Sequence, residues 1–451
     1  MGRSLLPILI MSFLFSSIIF CKLNLIQAEE RLKFSILRVP QDFETIQEAI
    51  NNSTAGDTIF VSSGLFYERV IVNKTVSLMG EDRQTTIVDG SNGGTVIQVT
   101  ASNVRISGFK LQNSGWKWGR GGIEVNQADN CSIQDNFIYL TCHQIRLNGS
   151  RSTLILGNII TAPSTTVPQS AYGVRLENST NCIVKNNVIS NHIGGVHLEN
   201  SANCIVTGNT IIQNGQGIRL YTPCINNTII KNTVYNNSYD GMIEEIPSNQ
   251  TLIGNRFIHN NFINNSNPFI YETGGCIWDD GSEGNFWMAY KGKDLDSDGI
   301  GDVSYAIGAD RDNYPLMGRF SDFETSLEHS VQTISNSTIS DFQFNGSSIN
   351  FSAHGAEGTA SFCRITIPTA LMNGTFRVFV NGTQVSYNLL GGTNSTHNYL
   401  YFTYEQSIKE VSVVPEFASM ISLVLAMFAA LLSSPLYEHT RRKINLSMDV
   451  L

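Results

Sequence analysis

The chain has 451 residues, a formal net charge of −9, and only 15% charged residues. Its length suits two or three domains. The negative balance, with no basic block outside the extreme C-terminus, excludes a nucleic-acid partner, because phosphate binding needs clustered Lys and Arg. So little charge, together with 38 Gly and abundant Asn, argues against a helical enzyme and predicts many short strands joined by turns that tolerate positive φ.

Residues 1–28 carry Arg3, an apolar run from Leu5 to Phe20 and a polar stretch reaching Ala28, which is the layout of a secretory signal. Ile26 fits the small-x-small cleavage pattern poorly, so an uncleaved anchor is the alternative. In FETIQEAINN, Phe43, Ile46, Ala49 and Ile50 share one helical face. A short amphipathic helix there would cover the apolar end of the repeats C-terminal to it.

Those repeats dominate the chain. ADNCSIQDNFIY, STNCIVKNNVIS and SANCIVTGNTII are variants of one unit, and RSTLILGNII, INNTIIKNTVY and SNQTLIGNRFI are weaker copies. Their inner Asn residues, Asn136, Asn158, Asn187, Asn209, Asn232 and Asn255, recur at steps of 22, 29, 22, 23 and 23 residues, and Gly108 and Gly80 extend the slot backward. A second anchor (Gly122, Gln144, Gly173, Gly195, Gly217, Gly241) opens alternations such as GVRL and GVHL. Two strand-like segments per unit, with no room for a helix, predict a solenoid. In a parallel β-helix, equivalent residues stack at roughly 4.8 Å. Val and Ile then fill the interior, and an Asn column bonds the backbone of the next coil. Cys131, Cys182 and Cys204 share a slot with Thr153, Asn227 and Gln250, which favours small buried stacking residues over redox or metal chemistry. The step of 29 marks an extra loop, TAPSTTVPQS, on the face where insertions line binding surfaces.

On the Gly-anchored strands the outward positions form two columns. One is Glu124, Arg146, Arg175, His197, Arg219 and Ile243; the other is Asn126, Asn148, Glu177, Glu199, Tyr221 and Glu245. Such a strip suits a linear, hydroxyl-rich polymer. Arg146, Arg175, His197, Arg219 and Tyr221 are the candidate ligand-binding residues, with the arginines forking onto sugar carboxylates or hydroxyl pairs and Tyr221 stacking on a ring. Glu177 and Glu199, one coil apart, and His197 are weak catalytic candidates, as an acid and base. Opposite charges that simply stack on a solvated sheet are the plainer alternative.

Toward the end of the repeat, DLDSDGIGD places Asp294, Asp296, Asp298 and Asp302 at positions 1, 3, 5 and 9 of a calcium loop, with Ile300 at the backbone-carbonyl position and Gly299 at the tight turn. Tyr305 stands where an EF-hand has its bidentate Glu, and Asp310 or Asp312 could fold back as the missing carboxylate. A structural Ca2+ clip, flanked by Phe286, Trp287, Tyr290, Tyr305 and Tyr314, would close the solenoid. A solvated acidic turn is the alternative.

From about Ser326 the period gives way to six or seven alternating strands, with a hairpin signal at Asn381-Gly382, which reads as a small β-sandwich. Residues 417–434 (FASMISLVLAMFAALLSS) are long and apolar enough to span a bilayer, and Arg441, Arg442 and Lys443 flank them on the cytoplasmic side. Sequons at Asn73, Asn130, Asn178, Asn336, Asn373 and Asn394 permit glycosylation of an extracellular body.

The repeats NCIVKNNVIS and NCIVTGNTII, the opening TIQEAINNSTAGDTIFVSSGLFYERVIVNKTVSLMGEDRQTTIVDG and the segment GNFWMAYKGKDLDSDGIGDVSYAIGADRDNYPLMG together resemble the NosD-like group of right-handed β-helix proteins, over roughly residues 40–320. The resemblance implies a carbohydrate-binding or sugar-hydrolysing domain of the pectate-lyase-like superfamily. It also implies a link, in the founding branch, to copper-site maturation. Met and His do not recur here at copper-ligand spacing, and the Asp cluster that accompanies the Arg base of pectate lyases is not found beside Arg175 or Arg219. Pro415-Glu416-Phe417 with the apolar span and Arg441-Arg442 is similar to PEF-type sorting tails of archaeal surface proteins, which implies a sorting enzyme as a partner.

The expected fold is all-β. It comprises a right-handed parallel β-helix, a single-stranded solenoid over 40–320 with an N-terminal cap helix and a Ca-loop cap at 286–317, then a small β-sandwich at 326–413 and a C-terminal transmembrane or sorting helix at 417–434. The expected protein is secreted and anchored at the cell surface, binds an extracellular polysaccharide without catalysis, and carries structural Ca2+. A polysaccharide lyase or glycoside hydrolase, and a structural envelope or adhesion protein, are the alternatives.

Overall fold

The computed structural model describes residues 34–115, 120–139, 141–163, 172–221, 223–245, 252–267, 275–325, 328–405 and 407–416. The chain falls into two compact units, residues 1–291 with 303–315 and residues 292–302 with 316–451.

The first unit is a right-handed parallel β-solenoid. Three parallel sheets, of ten, eight and ten strands among the described residues, run the length of the coils. Each coil therefore has three strands where the sequence suggested two. The segment SIQDNFIY shows why: Ser132–Gln134 and Phe137–Tyr139 belong to different sheets, bent apart at Asp135 (φ 54°) and the buried Asn136. The same left-handed turn recurs at Gly157, Asn186, Gly208, Lys231 and His259, so Gly and Asn recur there for their tolerance of positive φ.

Register is strict. Ile133, Ile155, Val184, Val206, Ile229 and Phe257 pair in sequence along the first sheet, and Ile138, Ile160, Ile189, Ile211, Val234 and Phe262 along the third. All are buried. Burying each such side chain stabilises by about 1.5–3 kcal/mol before the entropy of ordering is subtracted.

An internal ladder of amides links the coils. The Oδ1 of Asn158 accepts from the backbone N–H (3.0 Å) and Nδ2 (3.1 Å) of Asn136, and its own Nδ2 donates to Asn187 Oδ1 (3.0 Å) and to Ile133 O (2.9 Å). Asn187, Asn209, Asn232, Asn260 and Asn285 repeat the pattern. Asn260, not Asn255, follows Asn232. Asn255 belongs to a second ladder, where it bonds Asn227 and replaces Gln250 in the slot of Cys131, Cys182 and Cys204. At the other end the slot falls on Phe109, whose N–H donates to Asn136 Oδ1, while Gly108 takes the left-handed position before it. A third ladder runs through Asn214, Asn237 and Asn265. All seven described cysteines are buried. Cys182 and Cys204 direct their thiols at backbone carbonyls, 3.5–3.7 Å away, as Asn227 directs its amide.

The solenoid closes at both ends. Helix α1 (Ile46–Asn52) starts at Thr45, whose side chain caps Glu48 N–H, and it buries Ile46, Ala49 and Ile50 against the first strands. At the far end Phe257 stacks on Trp278 (4.5 Å) and Phe262 on Trp287 (4.4 Å). Asp312 then ends the amide ladder. Its Oδ2 accepts from Asn285 N–H (2.8 Å) and Trp287 Nε1 (2.8 Å), and Gly284 lies so close to its carboxyl that no side chain would fit. Asp310 likewise accepts from Cys276 N–H (3.0 Å). The sequence had offered these two as a further carboxylate for the acidic loop; here their oxygens accept from backbone and indole N–H groups of the last coils. Both finish the backbone hydrogen bonding of the last coils.

The second unit is a sandwich of two five-stranded antiparallel sheets around Val331, Ile349, Phe351, Cys363, Ile365, Leu400, Phe402, Val411 and Val413. Ten strands replace the six or seven expected, because Arg319–Glu324 and two short strands, Thr383–Val385 and Asn388–Leu389, add to the edges. Val380 pairs with Thr383 across Asn381 (φ 49°) and Gly382 (φ 75°), the turn predicted for that hairpin. The acidic loop, residues 292–302, belongs to this unit.

The expected membrane anchor is corrected. Among the described residues no helix is long and apolar enough to cross a membrane. A C-terminal transmembrane helix is accordingly not carried into the fold, the partners or the localisation. The apolar span at 417–434 and the signal at 1–28 lie outside the described residues.

Burial raises the Asp312 carboxyl to about 6, against the donors that favour its ionised form. The folded state therefore holds this proton more tightly than the unfolded chain, and the stability it contributes is lost as pH rises through about 6. Buried His143 and His192, held down at about 3, act in the opposite sense below neutrality, so the group must be isolated by comparison. Between pH 7 and pH 5 the wild-type chain is expected to gain about 1 kcal/mol relative to Asp312→Asn. Paired thermal melts check this, and a pH-independent difference contradicts it.

Candidate functional site

The eight-stranded sheet carries the predicted strip. Six consecutive strands of it, running to one edge, are Gly121–Asn126, His143–Asn148, Tyr172–Glu177, Gly194–Glu199, Gln216–Tyr221 and Asp240–Glu245. Both predicted columns are in register: Glu124, Arg146, Arg175, His197, Arg219 and Ile243 pair in turn, as do Asn126, Asn148, Glu177, Glu199, Tyr221 and Glu245.

The charges within the strip are largely used on one another. Arg146 Nη2 lies 2.5 Å from Glu177 Oε2, and Arg175 joins Glu177 to Glu199, with its Nη2 2.8 Å from Glu199 Oε2. His197, nearly buried, contacts the same Glu199 oxygen at 3.5 Å. His197 and Arg175 together hold the Glu199 carboxyl down at about 2, while burial lowers His197. Glu199 is thus kept ionised, the reverse of what a general acid needs at neutral pH. Glu177 and Glu199 share one guanidinium, leaving no free acid and base facing each other.

Tyr172 is a residue that strict alternation missed. Its ring lies 4.4 Å from that of His197 and 6.0 Å from that of His143, Arg175 sits over it, and Arg219 Nη1 donates to its hydroxyl at 2.7 Å. The reason is a slip in the strand. A side chain at Gly173 would meet Ile189 in the core, and Val174 also points inward, so two successive residues face in and Tyr172 falls on the side of Arg175. His143 shares that register through Gly121. The signal present in the sequence was the ring just before the anchor in two of the coils, His143 before Gln144 and Tyr172 before Gly173, where Gly121 and Gly194 stand in others.

In the second unit the acidic loop brings Asp294, Asp296 and Asp298 together, with ligand-capable atoms all within 4.8 Å of one another. Asp294 accepts from Asp298 N–H (3.1 Å) and Gly299 N–H (2.9 Å), and Asp298 from Ile300 N–H (2.7 Å). Gly299 supplies the turn at φ 85°. Asp302 is turned instead onto Leu295 N–H (2.7 Å). Partial burial raises Asp294 and Asp298, with the neighbouring Asp296 adding to the rise and Arg364 opposing it at Asp298. The cluster can hold a divalent ion.

Among known families, the one described as "Periplasmic copper-binding protein (NosD)" matches residues 50–292, more than half of the chain. The chain belongs to the NosD family. A cell surface glycoprotein of Methanothermus fervidus (strain ATCC 43054 / DSM 2088 / JCM 10308 / V24 S) is 31% identical over 105 residues, 23% of this NosD-family chain and only 16% of the relative. The Dettilon tailspike protein gp208 shares 13% identity at a TM-score of 0.40, covering 84% of this chain and 93% of its own. For pectate lyase Pel9A the values are 11%, 0.42, 55% and 80%, and for alginate lyase from Paenibacillus sp. str. FPU-7 they are 14%, 0.36, 54% and 97%. At these values the solved structures say nothing of activity.

Copper does not fit the donors present. Among the described residues the clustered metal-capable side chains are the three hard carboxylates of the acidic loop, while the cysteines are buried and Cys131, Cys182, Cys204 and Cys224 face backbone carbonyls. No step of chemistry is assigned to copper here.

Proposed function

We propose that this NosD-family protein works at the cell surface as a β-helix that binds a polysaccharide along its strip, without catalysis. The observation that carries this is the column Arg146, Arg175, His197 and Arg219 flanked by Tyr172 and Tyr221, held in register by strand pairing. Fixed donors and ring faces repeating along a rod match the repeat of a linear glycan, and polar groups already tied in place bind with little ordering cost. The ionised Glu199 and the shared guanidinium argue for binding over acid–base cleavage.

Retention of the full chain on a panel of neutral and acidic polysaccharides, scored separately from product release, tests the reading. Combined Arg175→Ala, His197→Ala and Arg219→Ala is expected to abolish retention, and Tyr221→Ala, which leaves the ion pairs intact, to weaken it about tenfold, the loss of roughly 1.4 kcal/mol of stacking. Unchanged retention in both contradicts the reading, and product release by the wild-type chain favours the lyase or hydrolase alternative.

The acidic loop is proposed to hold Ca2+ in a structural role, with Asp294, Asp296 and Asp298 as carboxylate ligands, Ile300 offering its carbonyl, and Asp302 bracing the loop through Leu295. Oxygen donors alone favour a hard cation. Chelation is expected to lower the melting temperature and added Ca2+ to restore it. An unchanged melt removes the proposal.

A further inference from the structure

We propose that the N-terminal end of the strip sheet holds a cationic subsite, a cleft between Arg69 and Arg120 that takes the oxyanion group of an acidic glycan. This rests on the glycan-binding reading of the strip and adds the class of sugar. The cleft encloses about 390 Å³ and is lined by Arg69, Ile71, Gly94, Thr95, Gln98 and Arg120. Ile71 and Gln98 pair with each other, and Gln98 pairs with Glu124, so the cleft continues the column of Arg146 and Arg175.

Its charge balance differs from that of the rest of the strip. Arg69 Nη1 (3.2 Å) and Arg120 Nη1 (3.0 Å) both donate to the carbonyl oxygen of Gly93, so the two cations stand no more than about 6 Å apart. Among the described residues neither has a carboxylate partner, whereas Arg146 and Arg175 have Glu177 and Glu199. Glu68, next to Arg69 in the chain, is committed elsewhere: its two oxygens accept from Ile46 and Gln47 N–H at the start of α1, at 3.0 Å each. Glycines make room for the pair. A Cβ at Gly115 would lie 2.9 Å from Arg120 Nη1, and one at Gly93 would lie 3.2 Å from Arg69 Nε.

Each guanidinium has five N–H donors, and one carbonyl occupies few of them. Two like charges held side by side gain from a bridging anion, and forked donors match the paired oxygens of a carboxylate or the oxygens of a sulfate. Glu124 borders the cleft through Thr95. Its Oε1 is buried without a hydrogen-bond partner among the described residues, and burial raises its carboxyl, so it is more easily neutral beside an anion. A uronic acid and a sulfate ester present the same oxyanion chemistry. The neutral, hydroxyl-only glycans lack it.

Isothermal titration of the full chain with sodium galacturonate and with inorganic sulfate at low salt, repeated on Arg69→Gln/Arg120→Gln, tests the site. Binding at least tenfold weaker in the variant is expected, with retention on a neutral glucan unchanged. Tighter galacturonate binding assigns the carboxylate source and tighter sulfate binding the ester, and both support the cleft. Since the variant removes two uncompensated like charges, its melting temperature is expected to hold or rise; a fall shows arginines that only brace the fold and overturns the proposal. Equal affinity in the variant, or no binding of either anion by the wild type, also overturns it, and leaves the strip reading intact where glucan is retained. A wild type that takes the small anions but retains no polysaccharide keeps the cleft and removes the strip reading.

Discussion

Everything in the first unit depends on hydrogen bonds that run from coil to coil. Strand pairing supplies one set and the buried Asn columns a second. Each Asn amide reaches the coil on either side, with Oδ1 receiving one backbone N–H and Nδ2 satisfying a buried carbonyl. A polar side chain in an apolar interior is tolerable only when fully bonded, and here bonding is complete only when neighbouring coils share one register. The same requirement explains the end of the rod. An amide column cannot simply stop, and Asp312 accepts the last donors at the cost of a buried carboxyl.

That register builds the outer surface. Because each strand meets its equivalent in the next coil, one residue type repeated in a motif becomes a line of side chains. Arg146, Glu177, Arg175 and Glu199 are linked by this geometry into one chain of ion pairs, with His197 set against Glu199. Such a chain fixes rotamers and suppresses acid–base reactivity, which fits recognition better than turnover. At the N-terminal end the compensation lapses, leaving Arg69 and Arg120 together without a carboxylate partner among the described residues.

Much of this was legible in the sequence, because a solenoid turns periodicity directly into contact. Asn136, Asn158, Asn187, Asn209 and Asn232 could be aligned by eye and do share one ladder. The reading slipped where the period changed: the step after Asn232 is 28 residues, to Asn260, and an Asn in the neighbouring slot, Asn255, imitated the shorter step. Tyr172 was hidden by the inward-facing Gly173, since alternation cannot register a slip within a strand. Asp310 and Asp312 were drawn toward the acidic loop by chemical type, whereas the unpaired amides of the last coil were the stronger claim on them. The cationic cleft had no motif at all: Arg69 and Arg120 are brought together only by the pairing of Val70–Val72 and Gly121–Asn126 on either side of Ile97–Val99.

Denaturant unfolding of Asn187→Ala beside Val188→Ala tests the central claim most directly. Asn187 is buried and bonded to three neighbours on two coils, whereas Val188 is 43% exposed on the next position. Leaving the Asn158 amide and the Ile155 carbonyl unpaired in the interior is expected to cost about 3 kcal/mol, and trimming Val188 less than about 1 kcal/mol. If Asn187→Ala costs no more than Val188→Ala, the amide ladder does not set the register of the coils, and the account built on it is wrong.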